Sequence, residues 1–242
     1  MHTTGPWDAR AQHGGPPSAL LGRAIQRCAP RDDMIVTRFT CEILGAIPVG
    51  ELEVRARVAR PGRSVELVEA VASAGSRDVA WARAWRVLGT DSESVDSRAA
   101  EPPALPGPAI AEPPGGWVDG YLSAIEWRPV RGSFASPGPA TVWARQRYPL
   151  VPDEETGPLE RVLIVADSGN GLSSELDITR WVFINPELTV HLHRMAVGEW
   201  ICLDAGTTIS AGGAGLATSV LYDLDGAIGA GAQSLLVSGR RG

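Results

Sequence analysis

Apolar and polar positions along the chain fall into two spacings. Over residues 18–28 (SALLGRAIQRC), Leu20, Leu21, Ala24, Ile25 and Cys28 recur three and four apart, which gathers them on one face of an α-helix. The pattern then changes to partial alternation rich in β-branched residues. Residues 34–44 (MIVTRFTCEIL), 51–59 (ELEVRARVA), 64–72 (SVELVEAVA) and 79–88 (VAWARAWRVL) read as strands, with turns at Pro61-Gly62 and Ser76-Arg77-Asp78. Further along, strands are predicted near 124–131 and 141–148. A second helix starts at Pro158, a favoured first helical position because its missing N–H would have no partner there, and runs on through LERVLIVAD. Strands resume over 181–194 (WVFINPELTVHLHR), 199–209, 215–224 and 227–237, and Asp225-Gly226 is a strong hairpin signal.

Between the two helix-and-strand runs lies a stretch, residues 92–116, whose prolines exclude a helix or a central strand. It divides the chain into an N-terminal unit (1–91), a linker (92–116) and a C-terminal unit (117–242). The units superpose in sequence at an offset of 148. Val49-Gly50-Glu51 falls on Val197-Gly198-Glu199, Arg77-Asp78 on the Asp225-Gly226 turn, and Ala84 and Leu88 on Ala232 and Leu236. The strands of each unit are expected to form one sheet covered by that unit's helix. A helix wrapped by an antiparallel sheet, twice over, is an α+β double hotdog.

Composition narrows the partners. The chain is ordinary globular material, with 44% hydrophobic and 21% charged residues. It carries a net charge of −6, and its basic residues are all arginine, without a basic patch, so nucleic acid is an unsuitable partner. No apolar run reaches membrane-spanning length and the start shows no signal-peptide core, from which a cytoplasmic location is expected. Cys28, Cys41 and Cys202 have neither disulfide-framework nor metal spacing and read as reduced thiols. No metal and no cofactor are expected: His191, His193 and Glu187 share a strand face, but no further ligands accompany them. The glycine runs at 211–215 and 226–232 do not fit a dinucleotide loop, and no G-x-S-x-G elbow is present.

The sequence resembles the acyl-CoA thioesterase II family and its actinobacterial thioesterase-like relatives. The resemblance rests on His13-Gly14-Gly15, FTCEILGAIPVG and GRSVELVEA in the first unit. In the second it rests on ADSGNGLSS, FINPELTVHLHR, GEW and DLDGAIGAGAQSLLV. It implies hydrolysis of an acyl-CoA by a bound water, without a covalent intermediate. The water would be held by Asp167, Gln233 and, where thioesterase II has Thr, Asn185. A carboxylate in reach of the water suits general-base catalysis, and neutral amides can orient it without competing for the proton. Gly14 and Gly15, at a helix start, offer backbone donors for an oxyanion, and His13 either contacts substrate or caps the helix.

Asp167 also fits plain loop chemistry, yet a carboxylate at a helix C-terminus is disfavoured by roughly a few tenths of a kcal/mol, which hints at a purpose. Asn185 before Pro186 equally suits a turn or bulge. At the 148 offset Trp85 stands opposite Gln233 and Thr37 opposite Asn185. One competent site per chain is therefore expected, with Trp85 either in the core or lining the substrate channel. Two other functions remain open. A hotdog hydratase or dehydratase would pair the Asp with a nearby His, and SGNGLSSELD after Asp167 has none. A non-catalytic acyl-thioester binding module is the other. Fused halves supply the basic dimer, and further association into a homo-oligomer is compatible with the sequence.

Overall fold

The computed structural model describes residues 2–97, 100–108 and 120–240. The first half comprises α1 (Gly15–Arg27), β1 (Met34–Ile43), β2 (Glu53–Arg60), β3 (Val65–Ala74) and β4 (Arg77–Leu88). The second comprises α2 (Tyr121–Ala124), β5 (Ile125–Ser133), β6 (Ser136–Gln146), α3 (Pro158–Ala166), α4 (Gly169–Leu172), β7 (Trp181–Ile184), β8 (Glu187–Leu192), β9 (Ile201–Ile209), β10 (Ala214–Asp223) and β11 (Gly226–Gly239). Every helix and strand read from apolar spacing is present. The strands do not form a separate sheet for each half. They make one 11-stranded sheet in the order β2-β3-β4-β1-β8-β11-β10-β9-β6-β5, with β7 also on β11, and the halves join edge to edge through β1 and β8.

The helices share one apolar cluster against the sheet. Leu21 and Ile25 of α1 and Leu159 and Leu163 of α3 are fully buried with Phe39, Val68, Leu188, Ile201 and Leu221 from the inner faces of five strands. In β3 the alternation puts Val68, Ala70 and Ala72 inward, as a one-sided antiparallel sheet requires. Pro158 opens α3, and the Glu160 carboxylate accepts the Gly157 N–H at 3.2 Å, tying down one of the donors that a helix start leaves free.

The seam exposes the internal repeat. Thr40 and Thr189 pair across β1 and β8, with their hydroxyls 3.3 Å apart. They are 149 residues apart, and the same shift relates Ala72 paired with Ala80 to Leu221 paired with Gly229, each followed by a bulge. It also relates Ile35 paired with Val87 to Ile184 paired with Leu236. The expected offset of 148 is thus corrected by one. It holds at the Val-Gly-Glu loops, but the pairing of the strands that follow them runs at 149, with Ala56 on Ala70 matching Ala205 on Ser219. Because side chains alternate in a strand, one residue of slip exchanges the faces. The counterpart of Gln233 is the buried Ala84 rather than Trp85, and that of Asn185 is Val36 rather than Thr37.

Part of the proline-rich stretch is a strap across the sheet's other face. The Ala227 N–H donates to Ala100 O (2.9 Å), Trp143 Nε1 to Pro103 O (3.2 Å) and Arg128 Nη1 to Pro106 O (3.1 Å). Leu105 packs on a cluster of Trp143, Trp200, Cys202, Tyr222 and Ala227. Prolines lack a donor but keep a carbonyl, so an extended proline-rich strap can cap outward-pointing indole and guanidinium donors. Residues 98–99 and 109–116 of the expected linker lie outside the described residues.

Candidate functional site

The second central helix breaks where its carboxylate stands. Asp167 and Ser168 keep helical torsions, but the Ser168 N–H reaches back only to Val165 O (2.9 Å), and α4 then starts afresh at Gly169. Gln233, 2% exposed on the inner face of β11, bridges the break. Its Nε2 donates to Asp167 O (3.1 Å) and Asp167 Oδ1 (3.2 Å), and its Oε1 accepts the Asn170 N–H (3.0 Å). A buried amide is costly unless satisfied, and here one side chain satisfies both helix fragments.

Asn185 arrives from a second interruption. Pro186 separates β7 from β8, and Asn185 Nδ2 turns to Asp167 Oδ1 (2.8 Å) and Glu187 O (3.2 Å). The Glu187 carboxylate accepts the Ser234 N–H at 2.6 Å, meeting the ladder donor that the break would leave unpaired. Asp167, Asn185 and Gln233 are therefore brought together, with both amides donating to one carboxylate oxygen.

The other oxygen, Oδ2, faces the first half. A Cβ on Gly14 would lie 2.7 Å from it, and one on Gly15 would collide with Ile164 O, so only glycine lets this helix start approach. The Gly14 and Gly15 N–H groups lean on the Asp167 carboxylate, and Gly15 N also donates to His13 Nδ1 (3.1 Å). His13 Nδ1 stands 3.2 Å from Oδ2. Burial lowers the His13 pKa to about 3, so the ring is neutral and this contact is not an ion pair. Burial raises the Asp167 pKa to about 7, against the opposing hydrogen bonds of Asn185, Gln233, Gly14 and Gly15.

These groups border a cavity of about 1370 Å³. Asp167, Asn185, His13, Gly14 and Asn170 line it with apolar walls from Trp7, Leu122, Phe134 and Phe183, so both halves contribute. Trp85 lies elsewhere. It shares the outer face of β4 with the exposed Trp81 and Arg83, beneath the Arg60 guanidinium 6.0 Å from its ring centre. Arg194, beside His193, forms a paired ion contact with the fully buried Asp223. Among the described residues no three His, Cys, Asp or Glu side chains converge as a metal site. Sequence reasoning did not single out Tyr121, whose ring stacks on His13, or Asn170, whose N–H anchors Gln233. Both sit in stretches that looked like plain connections, and only tertiary contact distinguishes them.

Two family models match the chain: the acyl-CoA thioesterase N-terminal domain over residues 3–87 and the acyl-CoA thioesterase C-terminal domain over residues 97–237. The chain belongs to the acyl-CoA thioesterase family. Solved structures carry the same fold. A hot dog fold protein from Alicyclobacillus acidocaldarius superposes with a TM-score of 0.72 at 17% identity, covering 98% of this chain and 90% of that one. The tesB protein of Mycobacterium avium subs paratuberculosis gives 0.70 at 16% identity, with 98% and 91% covered. Acyl-CoA thioesterase II TesB2 from Mycobacterium marinum gives 0.66 at 15%, with 98% and 95% covered. No curated protein matches the sequence. The α+β double hotdog expected from the sequence is the fold found, and family and fold together support thioester hydrolysis as the general activity of this acyl-CoA thioesterase. No helix among the described residues is long and apolar enough to cross a membrane.

Proposed function

We propose that this protein hydrolyses acyl-CoA to free acid and CoA, with Asp167 as general base. The observation that carries the reading is a buried carboxyl, fixed at Oδ1 by two amides, raised in pKa to about 7 by burial and bordering a cavity. A base works best when its pKa lies near the working pH, and such a group contributes about 10²–10⁴-fold. In its ionised form Asp167 takes a proton from water as the oxygen bonds to the thioester carbonyl carbon. Collapse of the tetrahedral adduct expels the CoA thiolate, which recovers the proton. Asn185 and Gln233 hold the carboxylate's orientation, and the neutral His13 stands beside its other oxygen. The apolar walls suit an acyl chain. Three free thiols fit a reducing compartment such as the cytoplasm. Thiol release over a panel of acyl-CoAs tests the reading: turnover with at least one is expected, and none with any would refute it.

A second reading, hydration of enoyl thioesters, gains one observation. The histidine missing from the sequence after Asp167 arrives in space as His13. Loss of the conjugated thioester without thiol release would favour it.

A further inference from the structure

Tyr121 belongs to no part of the proposed chemistry, yet it touches His13 and both sides of the helix break at Asp167. It is 1% exposed and stands at the start of α2. Its ring stacks on His13 with centres 3.7 Å apart and planes 6° from parallel. Its hydroxyl donates to Ile164 O (2.7 Å) and meets Ser168 Oγ (2.8 Å), on either side of the helix break that presents Asp167. Its backbone N–H donates to Thr4 O (3.0 Å), holding the N-terminal segment that walls the cavity. A buried phenol needs a hydrogen-bond partner, but one partner would suffice; here the hydroxyl spans the one place where the helix ladder is interrupted.

We infer that Tyr121 is a positioning residue, which holds His13 against Asp167 through its ring and fixes the helix break through its hydroxyl. The inference rests on the hydrolase reading for its kinetics but not for its geometry. The titratable side chains facing Asp167 are His13 ahead of α1, Tyr121 itself and Cys41 of β1, a thiol pushed up to about 12 by burial. The amides facing it, Asn185 and Gln233, are neutral. Without the ring, water reaches the carboxyl and its titration moves towards the ordinary range.

The test follows the Asp167 carboxyl by carbon NMR across pH, alongside thiol release. Tyr121→Leu is expected to lower the carboxyl midpoint by roughly half a unit or more and kcat by about tenfold with KM nearly unchanged. Tyr121→Phe, which keeps the stack, is expected to restore the midpoint while kcat stays severalfold low. A wild-type midpoint in Tyr121→Leu overturns the inference, as does a wild-type kcat in Tyr121→Phe, since a ring that only fills space would not need its hydroxyl. If Tyr121→Leu does not fold, Tyr121→Phe decides: lowered kcat at constant KM supports the role, and wild-type kcat overturns it. A wild-type protein that releases no thiol sinks the hydrolase reading but leaves the titration informative.

Discussion

Asp167 is a carboxyl that the fold disfavours in its ionised form, and this has a sign in stability as well as in rate. Its folded pKa of about 7 lies above the ordinary 3.8, so between those values the folded chain binds more protons than the unfolded one. Stability therefore falls as pH rises through that window and is lowest above 7. Asp167→Asn imitates the protonated acid in carrying no charge, and keeps one oxygen for Asn185 and Gln233. Its melting temperature relative to wild type is expected to rise from pH 5 to pH 8; a difference constant with pH would contradict the burial argument. Gln233→Ala leaves Asp167 O and the Asn170 N–H without their partner, at about 1–3 kcal/mol for each unmet group. Chemical denaturation should show that loss and thiol release a lower kcat. Of these residues, Asp167, Asn185 and Gln233 were legible through family resemblance. Tyr121 and Asn170 were not, because nothing in their own segments differs from a connecting loop.

At the level of elements, the site exists because regular structure is interrupted in two places: α3 gives way to α4 at Asp167, and β7 to β8 at Pro186. The apolar spacing predicted every one of the long elements but neither purpose of these breaks, since a break is also what a turn looks like. The alignment of the two halves failed by a single residue for a comparable reason. Its clearest identity, Val-Gly-Glu, sits in loops of unequal length, whereas the register is set by the paired bulges after Ala72 and Leu221. The start of α1 offers a test free of backbone strain. Gly14 has φ −67° and ψ −20°, which any residue adopts, so Gly14→Ala acts through its Cβ against Asp167 Oδ2. A fall in kcat/KM of about tenfold or more is expected for a displaced catalytic group, with the fold retained by circular dichroism; unchanged kcat/KM would show that the helix start is not apposed to the working carboxylate.

Across the whole molecule, a first half that supplies His13 and Gly14 faces a second half that supplies the carboxyl, so the fused pair behaves as an unequal dimer with its seam at Thr40 and Thr189. At the counterpart positions Val36 and Ala84 offer no polar group, so the arrangement of Asn185 and Gln233 is not repeated there. The strap over residues 100–108 lies on the opposite face of the sheet, so stability and activity are expected to separate there. Leu105→Ala should cost about 1–2 kcal/mol in denaturant unfolding while leaving kcat unchanged; a fall in kcat would connect the strap to the site. The proposal as a whole depends on Asp167 acting as a base near neutrality, and the most direct measurement is the pH dependence of thiol release from an acyl-CoA by wild type and by Asp167→Asn. The wild-type kcat/KM is expected to rise with pH to a plateau with its midpoint near 7, and Asp167→Asn to be lower by about 10²–10⁴-fold with no such midpoint. Undiminished turnover by the folded variant would contradict the account.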